Sequence, residues 1–211
     1  MRQFLPLFPL QIVVFPGEDL NLHIFEPRYK ELIKDCEEGG GTFGIPAYID
    51  KRLMKVGTEV KLTSIEKRYS NGELDIKTKG KGLFTVDEFH PVAPDKLYAG
   101  GEVEILTMDE AEDLSENEKI LELTRELFQL LDIQKELPED ISLFSTYDIA
   151  HHIGLSLEQE YQLLCLLDAQ KRQDFLKKHL ERLLPMVKEM ENLKKKAQLN
   201  GHFKHLQPPH I

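Results

Sequence analysis

The chain has 211 residues and a mass of 24.4 kDa, enough for one large domain or two small ones. Hydrophobic residues make up 41% and charged residues 30%, the balance of an ordinary soluble protein that buries a core. A formal charge of −10 and a pI near 5.3 argue against a general phosphate-backbone binder, which needs a basic footprint.

The first residues are apolar, but Pro6, Pro9 and Pro16 interrupt them and only Arg2 is basic, so no secretory leader is expected. No apolar run approaches the roughly 20 residues that a spanning helix requires. Residues 12–15 form a short β-branched run ended by the turn pair Pro16-Gly17, which predicts a strand. Leu20, Leu22 and Ile24 alternate with Asn21 and His23, the period of a half-buried strand. Pro27 suits a first helical position, because its missing N–H is unpaired there anyway. Tyr29, Leu32, Ile33 and Cys36 then share one helical face, and Gly39 supplies a left-handed stop.

Residues 42–49 return as a strand. Residues 56–69 and 73–78 flank Ser70-Asn71-Gly72, and Asn-Gly between alternating segments is a strong hairpin signal because both residues tolerate positive φ. Residues 83–89 and 102–106 add two more strands. Many short strands at this spacing point to a small barrel or pseudobarrel.

At Met108 the composition shifts. Asp109-Glu110-Ala111-Glu112-Asp113 reads as an acidic linker, after which the apolar period changes from 2 to 3.6. Ser115 with Glu118 suggests a capping box, followed by a helix with Ile120, Leu123, Leu127, Leu130 and Leu131 on one face. Pro138 ends that region. Ser145 with Asp148 suggests a second cap and Gly154 a stop. Ser156 with Gln159 opens a third helix through Leu167, and Asp168 caps the last and longest one. That helix carries Phe175, Leu176, Leu180, Leu183, Leu184, Val187, Met190 and Leu193 at alternating spacings of 3 and 4, either a bundle face or a short coiled-coil seam. Pro185 is expected to kink it. The expected organisation is a β-rich unit over 1–110, a helical unit over 111–199 and a disordered tail over 200–211.

The chain offers little that carries chemistry. Gly39-Gly40-Gly41 lacks the Gly-Lys-Ser/Thr of a phosphate loop. His151 and His152 are adjacent, so on a helix they point about 100° apart and share no metal by themselves. His202, His205 and His210 lie in the polar tail. Ser115, Ser145 and Ser156 read as caps, and none sits in a Gly-x-Ser-x-Gly turn. Cys36 and Cys165 occupy apolar helical positions without metal spacing and read as buried free thiols of a reducing cytoplasm. No cofactor, metal or catalytic constellation is expected. Two polar features remain. Lys171, Arg172, Lys177, Lys178, Arg182, Lys188 and Lys194-Lys195-Lys196 make the last helix locally basic, either a solvated face or a face for an acidic or nucleic-acid partner. Arg28 and Tyr29 either contact a peptide or serve locally, with Tyr29 packed under the barrel and Arg28 paired nearby.

Several stretches together resemble one known family. Leu5-Pro-Leu-Phe-Pro-Leu10, Val14-Phe-Pro-Gly17 and Leu22-His-Ile-Phe-Glu-Pro-Arg-Tyr29 look like the opening of the Lon protease N-terminal domain, in the form of small standalone bacterial proteins. Thr42-Phe-Gly44, Val56-Gly-Thr58, the Asn71-Gly72 hairpin, Gly80-Lys-Gly-Leu-Phe-Thr-Val86, Tyr98 and Val103-Glu-Ile-Leu106 follow in the family's order. Asp168-Ala-Gln-Lys-Arg-Gln-Asp-Phe-Leu176 resembles its helical half, so the likeness spans about residues 3–197. Leu83 departs from it, standing where many relatives have arginine.

The resemblance implies an α+β fold: a PUA-like β pseudobarrel with one inserted helix, then a helical bundle ending in a long helix. It also implies a non-catalytic, cytoplasmic module that binds unfolded or extended protein segments, at exposed strand edges or a crevice between barrel and bundle. The Lon ATPase and Ser–Lys peptidase residues are not among these 211. Two alternatives stay open: an accessory subunit of a Lon-type ATP-dependent protease system, and an RNA-binding PUA-like protein. Self-association through the seam from Leu176 to Leu193 is a separate expectation; a membrane partner is not expected, and the acidic charge disfavours nucleic acid.

Overall fold

The computed structural model describes residues 2–202, with side chains through Gln198. Six strands form the sheet: β1 (Arg2–Leu7), β2 (Asp19–Ile24), β3 (Thr42–Ile49), β4 (Arg52–Arg68), β5 (Leu74–His90) and β6 (Ala99–Leu106). Four α-helices accompany them: α1 (Pro27–Gly39), α2 (Leu114–Leu131), α3 (Leu157–Leu164) and α4 (Ala169–His202). The fold is α+β, with a pseudobarrel and a long last helix. Of the expected tail over 200–211, residues 200–202 continue the last helix, and the rest lie outside the described residues.

Contacts group the chain into two units. One comprises Met1–Ala111 with Ala150–Ala169, the other Glu112–Ile149 with Gln170–Ile211. The change of period near Met108 marks where the strands end. It does not reveal that Ala150–Ala169 goes with the strands.

The barrel closes because β5 is long enough to pair twice. Its first half pairs with β2 on one side and with β4 on the other. Its second half pairs with β6. β6 pairs with β1, β1 runs parallel to β3, and β3 returns to β4. The circuit β5-β4-β3-β1-β6 is therefore complete, and β2 is appended outside it. Residues 73–78 and 83–89 are expected from the sequence as two strands. They are one strand of 17 residues whose register shifts against its neighbours at bulges, and such bulges bend a strand around a barrel.

Two interior clusters fill this unit. Phe8, Val14, Ile24, Tyr29, Leu32, Ile33, Phe43, Ile45, Val60 and Ile76 belong to the larger one, and Leu5, Leu7, Phe84 and Val103 to the smaller. The Phe84 ring lies so close to Gly44 and Gly57 that a Cβ at either would meet it at 2.7 or 2.6 Å. The glycines of Thr42-Phe-Gly44 and Val56-Gly-Thr58 thus make room for one buried ring.

Residues 12–15 do not form the expected strand. Val13, Val14 and Phe15 are buried as their apolarity demands, but in an irregular path. The Val14 carbonyl accepts from the Thr58 hydroxyl, and the Phe15 N–H donates to Glu18 at 2.8 Å. The 69–73 connection is also not the two-residue turn that Asn-Gly suggests. Of its residues Gly72 alone has positive φ (78°), and Gly72 N–H donates to the Tyr69 carbonyl, giving a longer loop with glycine at the left-handed position. α1 starts at Pro27 and buries Tyr29, Leu32, Ile33 and Cys36, with the left-handed cap one residue later than expected, at Gly40.

In the second unit α2 is capped by Asp113, not Ser115, the Asp113 carboxylate accepting from Ser115 and Glu116 N–H. The buried face is Ile120, Leu121, Thr124, Leu127 and Phe128 instead of the expected one, leaving Leu131 exposed. A carboxylate core lies beside it. Glu112 accepts from Thr146 N–H and Oγ1 and from Asn117 Nδ2, and stands 3.7 Å from the buried Arg172 guanidinium. α4 passes through Pro185 without ending there. Pro185 and Glu181 are both exposed, so the carbonyl that loses its helical donor faces solvent.

The capping box of Ser156 and Gln159 opens α3 as the sequence predicts, but α3 ends at Leu164, before the expected Leu167. Cys165 follows it and is half-buried, not buried; Cys36 is buried, and that burial pushes its thiol up to about 12.

Candidate functional site

β2 is the strand with a free side. It pairs with β5 from Asp19↔Lys79 to Ile24↔Leu74, and among the described residues no strand lies on its other side. The hydrogen bonds tell which backbone groups face outward. Gly80 N–H donates to the Glu18 carbonyl, the Gly80 carbonyl accepts from Gly17 N–H, and Thr78 Oγ1 donates to the Leu20 carbonyl. Gly80, Thr78, Ile76 and Leu74 therefore turn their polar groups toward β2, where Leu20, Leu22 and Ile24 meet them. Asp19, Asn21 and His23 turn theirs away, to the free edge, and all three residues are exposed.

Gly80 makes the junction possible. A Cβ there would stand 2.2 Å from the Phe15 carbonyl oxygen. The irregular segment before β2 thus crosses directly over β5 and sets β2 on its outer flank.

A polar cluster holds the far end of the edge. His23 Nδ1 lies 2.7 Å from Asp75 and Nε2 3.3 Å from Glu73. The hydrogen bond to Asp75 raises the imidazole above its ordinary range, with smaller help from Glu73. Tyr69 donates to the second Asp75 oxygen at 2.7 Å, and Lys67 lies over the Tyr69 ring. Phe25, just past β2, is 59% exposed and stacks near His23.

Arg28 and Tyr29, the residues singled out from the sequence, follow at the first turn of α1. The Tyr29 ring is buried, stacked on Phe8 at 3.6 Å between centroids. Burial pushes its phenol upward. The Arg28 guanidinium lies over the outer face of that ring at 4.5 Å and pairs with Glu26 at 2.8 Å. Arg28 is thus held at the surface, and Tyr29 carries it from beneath.

Sequence reading missed a second histidine site. His151 Nδ1 lies 2.8 Å from Glu160 and Nε2 3.2 Å from Glu18, and its ring packs near Phe15. Burial alone would lower this imidazole, but the two carboxylates outweigh it and raise it to about 9. Since one carboxylate takes each ring nitrogen, the geometry is an imidazolium clamp. It fastens Ala150–Ala169 to the barrel together with Tyr161 Oη, which accepts from Val56 N–H at 3.1 Å. The signal was available as a histidine with a carboxylate nine residues on, but Glu18 is 133 residues away. Among the described residues no group of three or more His, Cys, Asp or Glu is arranged to hold a metal ion. No described helix is long and apolar enough to cross a membrane.

A closed pseudobarrel with one inserted helix, an open flanking strand and a second, helical unit make up the α+β architecture of this chain. The chain belongs to the ATP-dependent protease La (LON) substrate-binding domain family, whose model matches residues 4–182. A solved Lon N-terminal domain protein from Xanthomonas campestris is 27% identical, with a TM-score of 0.62 over 87% of this chain and 98% of that one. The N-terminal domain of Mycobacterium avium complex Lon protease shares the fold at 18% identity, with a TM-score of 0.62, 85% of this chain and 98% of that one being covered. No curated protein sequence matches the chain.

Proposed function

We propose that this chain is a non-catalytic protein-binding module that captures extended segments of other proteins along the free edge of β2. One observation carries the reading: a closed barrel, which has no edges of its own, bears one appended strand whose outer backbone groups face solvent. Backbone pairing at such an edge is tolerant of sequence, which suits a domain of a substrate-binding family. Arg28, held at the surface over the Tyr29 ring, is proposed as a contact for carbonyls or carboxylates of the segment where it leaves the edge, with Tyr29 as its support. The module works in the cytoplasm without a cofactor, and the 211 residues cleave no peptide bond by themselves.

The test is titration of the chain with a reduced, carboxymethylated protein that stays unfolded, read by fluorescence anisotropy. Binding in the micromolar range is expected, and the native form of the same protein should not compete. Absence of binding at tens of micromolar refutes the proposal. Cleavage of unfolded casein by the purified chain with ATP would refute its non-catalytic part.

A separate partner is proposed for α4. Met186, Met190 and Leu193 are exposed at spacings of 4 and 3, continuing the line of Leu183. With Leu183 and Met190 at a positions, Glu189 and Lys194 take g and e, the pairing of a parallel two-stranded seam with a second copy.

A further inference from the structure

We infer that the segment taken by β2 is a strand of alternating apolar and polar residues, with its apolar side chains set against Leu20 and Leu22, laid antiparallel because that pairing is the more stable per residue. This deepens the edge-capture reading and rests on it.

Burial along one row of the sheet carries the inference. Leu20, Leu22 and Ile24 point to the same face as their cross-strand partners Thr78, Ile76 and Leu74. Thr78 and Ile76 are 0% and 1% exposed, because β5 has a strand on each side there. Leu20 and Leu22 sit in the same row, packed against the larger cluster, yet remain half-buried. What they lack is the flank that β4 gives to β5. A further strand supplies it, and only one carrying apolar side chains on that face does so without burying an unpaired polar group.

Hydrogen-bond register fixes the alternation. Residues of the incoming strand opposite Asp19, Asn21 and His23 exchange backbone bonds with β2, and their side chains lie on the outer face. That face is polar: Asp19, Asn21 and Lys77 are there, and His23 is occupied by Asp75 and Glu73. Residues opposite Leu20 and Leu22 form non-hydrogen-bonded pairs, the positions where cross-strand side chains approach most closely. Their own N–H groups point away from β2. The partner thus reads apolar, polar, apolar.

The experiment uses the full chain and labelled eight-residue peptides of valine and threonine. One set alternates the two residues; the other has the same composition in two blocks. Alternating peptide is expected to bind at least tenfold more tightly. N-methylation at the threonines should abolish binding, whereas N-methylation at the valines should leave it within about threefold, since only the former N–H groups face β2. Asn21→Pro removes an outward N–H and leaves the β5 pairing intact, so it should weaken binding while circular dichroism stays unchanged. Equal affinity for both peptide sets, with Asn21→Pro still weakening them, overturns the alternation and leaves edge capture standing. No binding of any peptide, and no effect of Asn21→Pro on the unfolded protein, overturns both. A β2-dependent dimer of the chain alone, dispersed by Asn21→Pro in sedimentation, also overturns the inference, because the occupant is then a second copy.

Discussion

Tyr29→Ala separates support from contact at the one place where sequence suggested both. The Tyr29 ring is 6% exposed and lies flat on Phe8 at 3.6 Å, in the cluster that includes Leu32, Ile33 and Phe43. Truncating a buried aromatic side chain costs about 3–5 kcal/mol, of which roughly 0.5–1.5 kcal/mol is the stacked pair itself. For a chain of this size each kcal/mol moves the midpoint by about 2–4 °C, so Tyr29→Ala should melt roughly 6–20 °C below the parent. Tyr29→Phe keeps the ring, the stack on Phe8 and the platform under Arg28, and should change the midpoint by no more than about 3 °C. Thermal circular dichroism gives the midpoints, and anisotropy with an unfolded protein at 25 °C gives the binding. Arg28→Ala should weaken binding severalfold with stability unchanged, since Arg28 is exposed. A tenfold loss of binding in Tyr29→Phe at unchanged stability would show the phenol itself touching the partner and would refute the reasoning, as would a parent-like midpoint for Tyr29→Ala.

His151 gives a pH prediction of definite sign: its folded value is raised to about 9 against about 6.5 unfolded, so its stabilisation is full below 6.5 and is lost as pH rises through 9. Urea midpoints should therefore fall from pH 7 to 9.5 more steeply in the parent than in His151→Gln, and parallel curves would discard the clamp. Gly80→Ala should destabilise by about 1–3 kcal/mol or more, because its Cβ would meet backbone at Phe15, and a neutral result in denaturant titration would mean that the crossing over β5 is wrong. Glu112→Ala removes the acceptor of Thr146 and Asn117 beside Arg172, and should cost about 3–5 kcal/mol; a loss under 1 kcal/mol would deny the buried carboxylate its structural role. Met190→Asp should abolish any dimer seen in sedimentation velocity, and a dimer that survives it does not use the α4 seam.

Local chemistry made much of this protein readable from residue order. Pro27 starts α1 because a proline loses nothing at a helix N-terminus. The Tyr29, Leu32, Ile33 and Cys36 face, the alternation that makes β2 and the Ser156–Gln159 box are one-turn or two-residue periods, and the sequence displays them directly. The ordered motifs from Leu5 to Leu176 likewise pointed to the family without any coordinates.

Partnership between distant residues was decided by the tertiary structure. Nothing near residue 80 tells that β5 continues through it and is shared by three neighbours, because the strand's length is set by which segments cross it. Residues 12–15 carry a strand's composition but spend it on buried irregular contacts, since Gly80 admits Phe15 where a ladder would otherwise run. The clamp on His151 joins Glu18 and Glu160 across 133 and 9 residues of chain. The free side of β2 is of the same kind: its alternating leucines are written in the sequence, but their half-burial follows from the pairing, since β5 has a strand on each side and β2 among the described residues has one on one side alone.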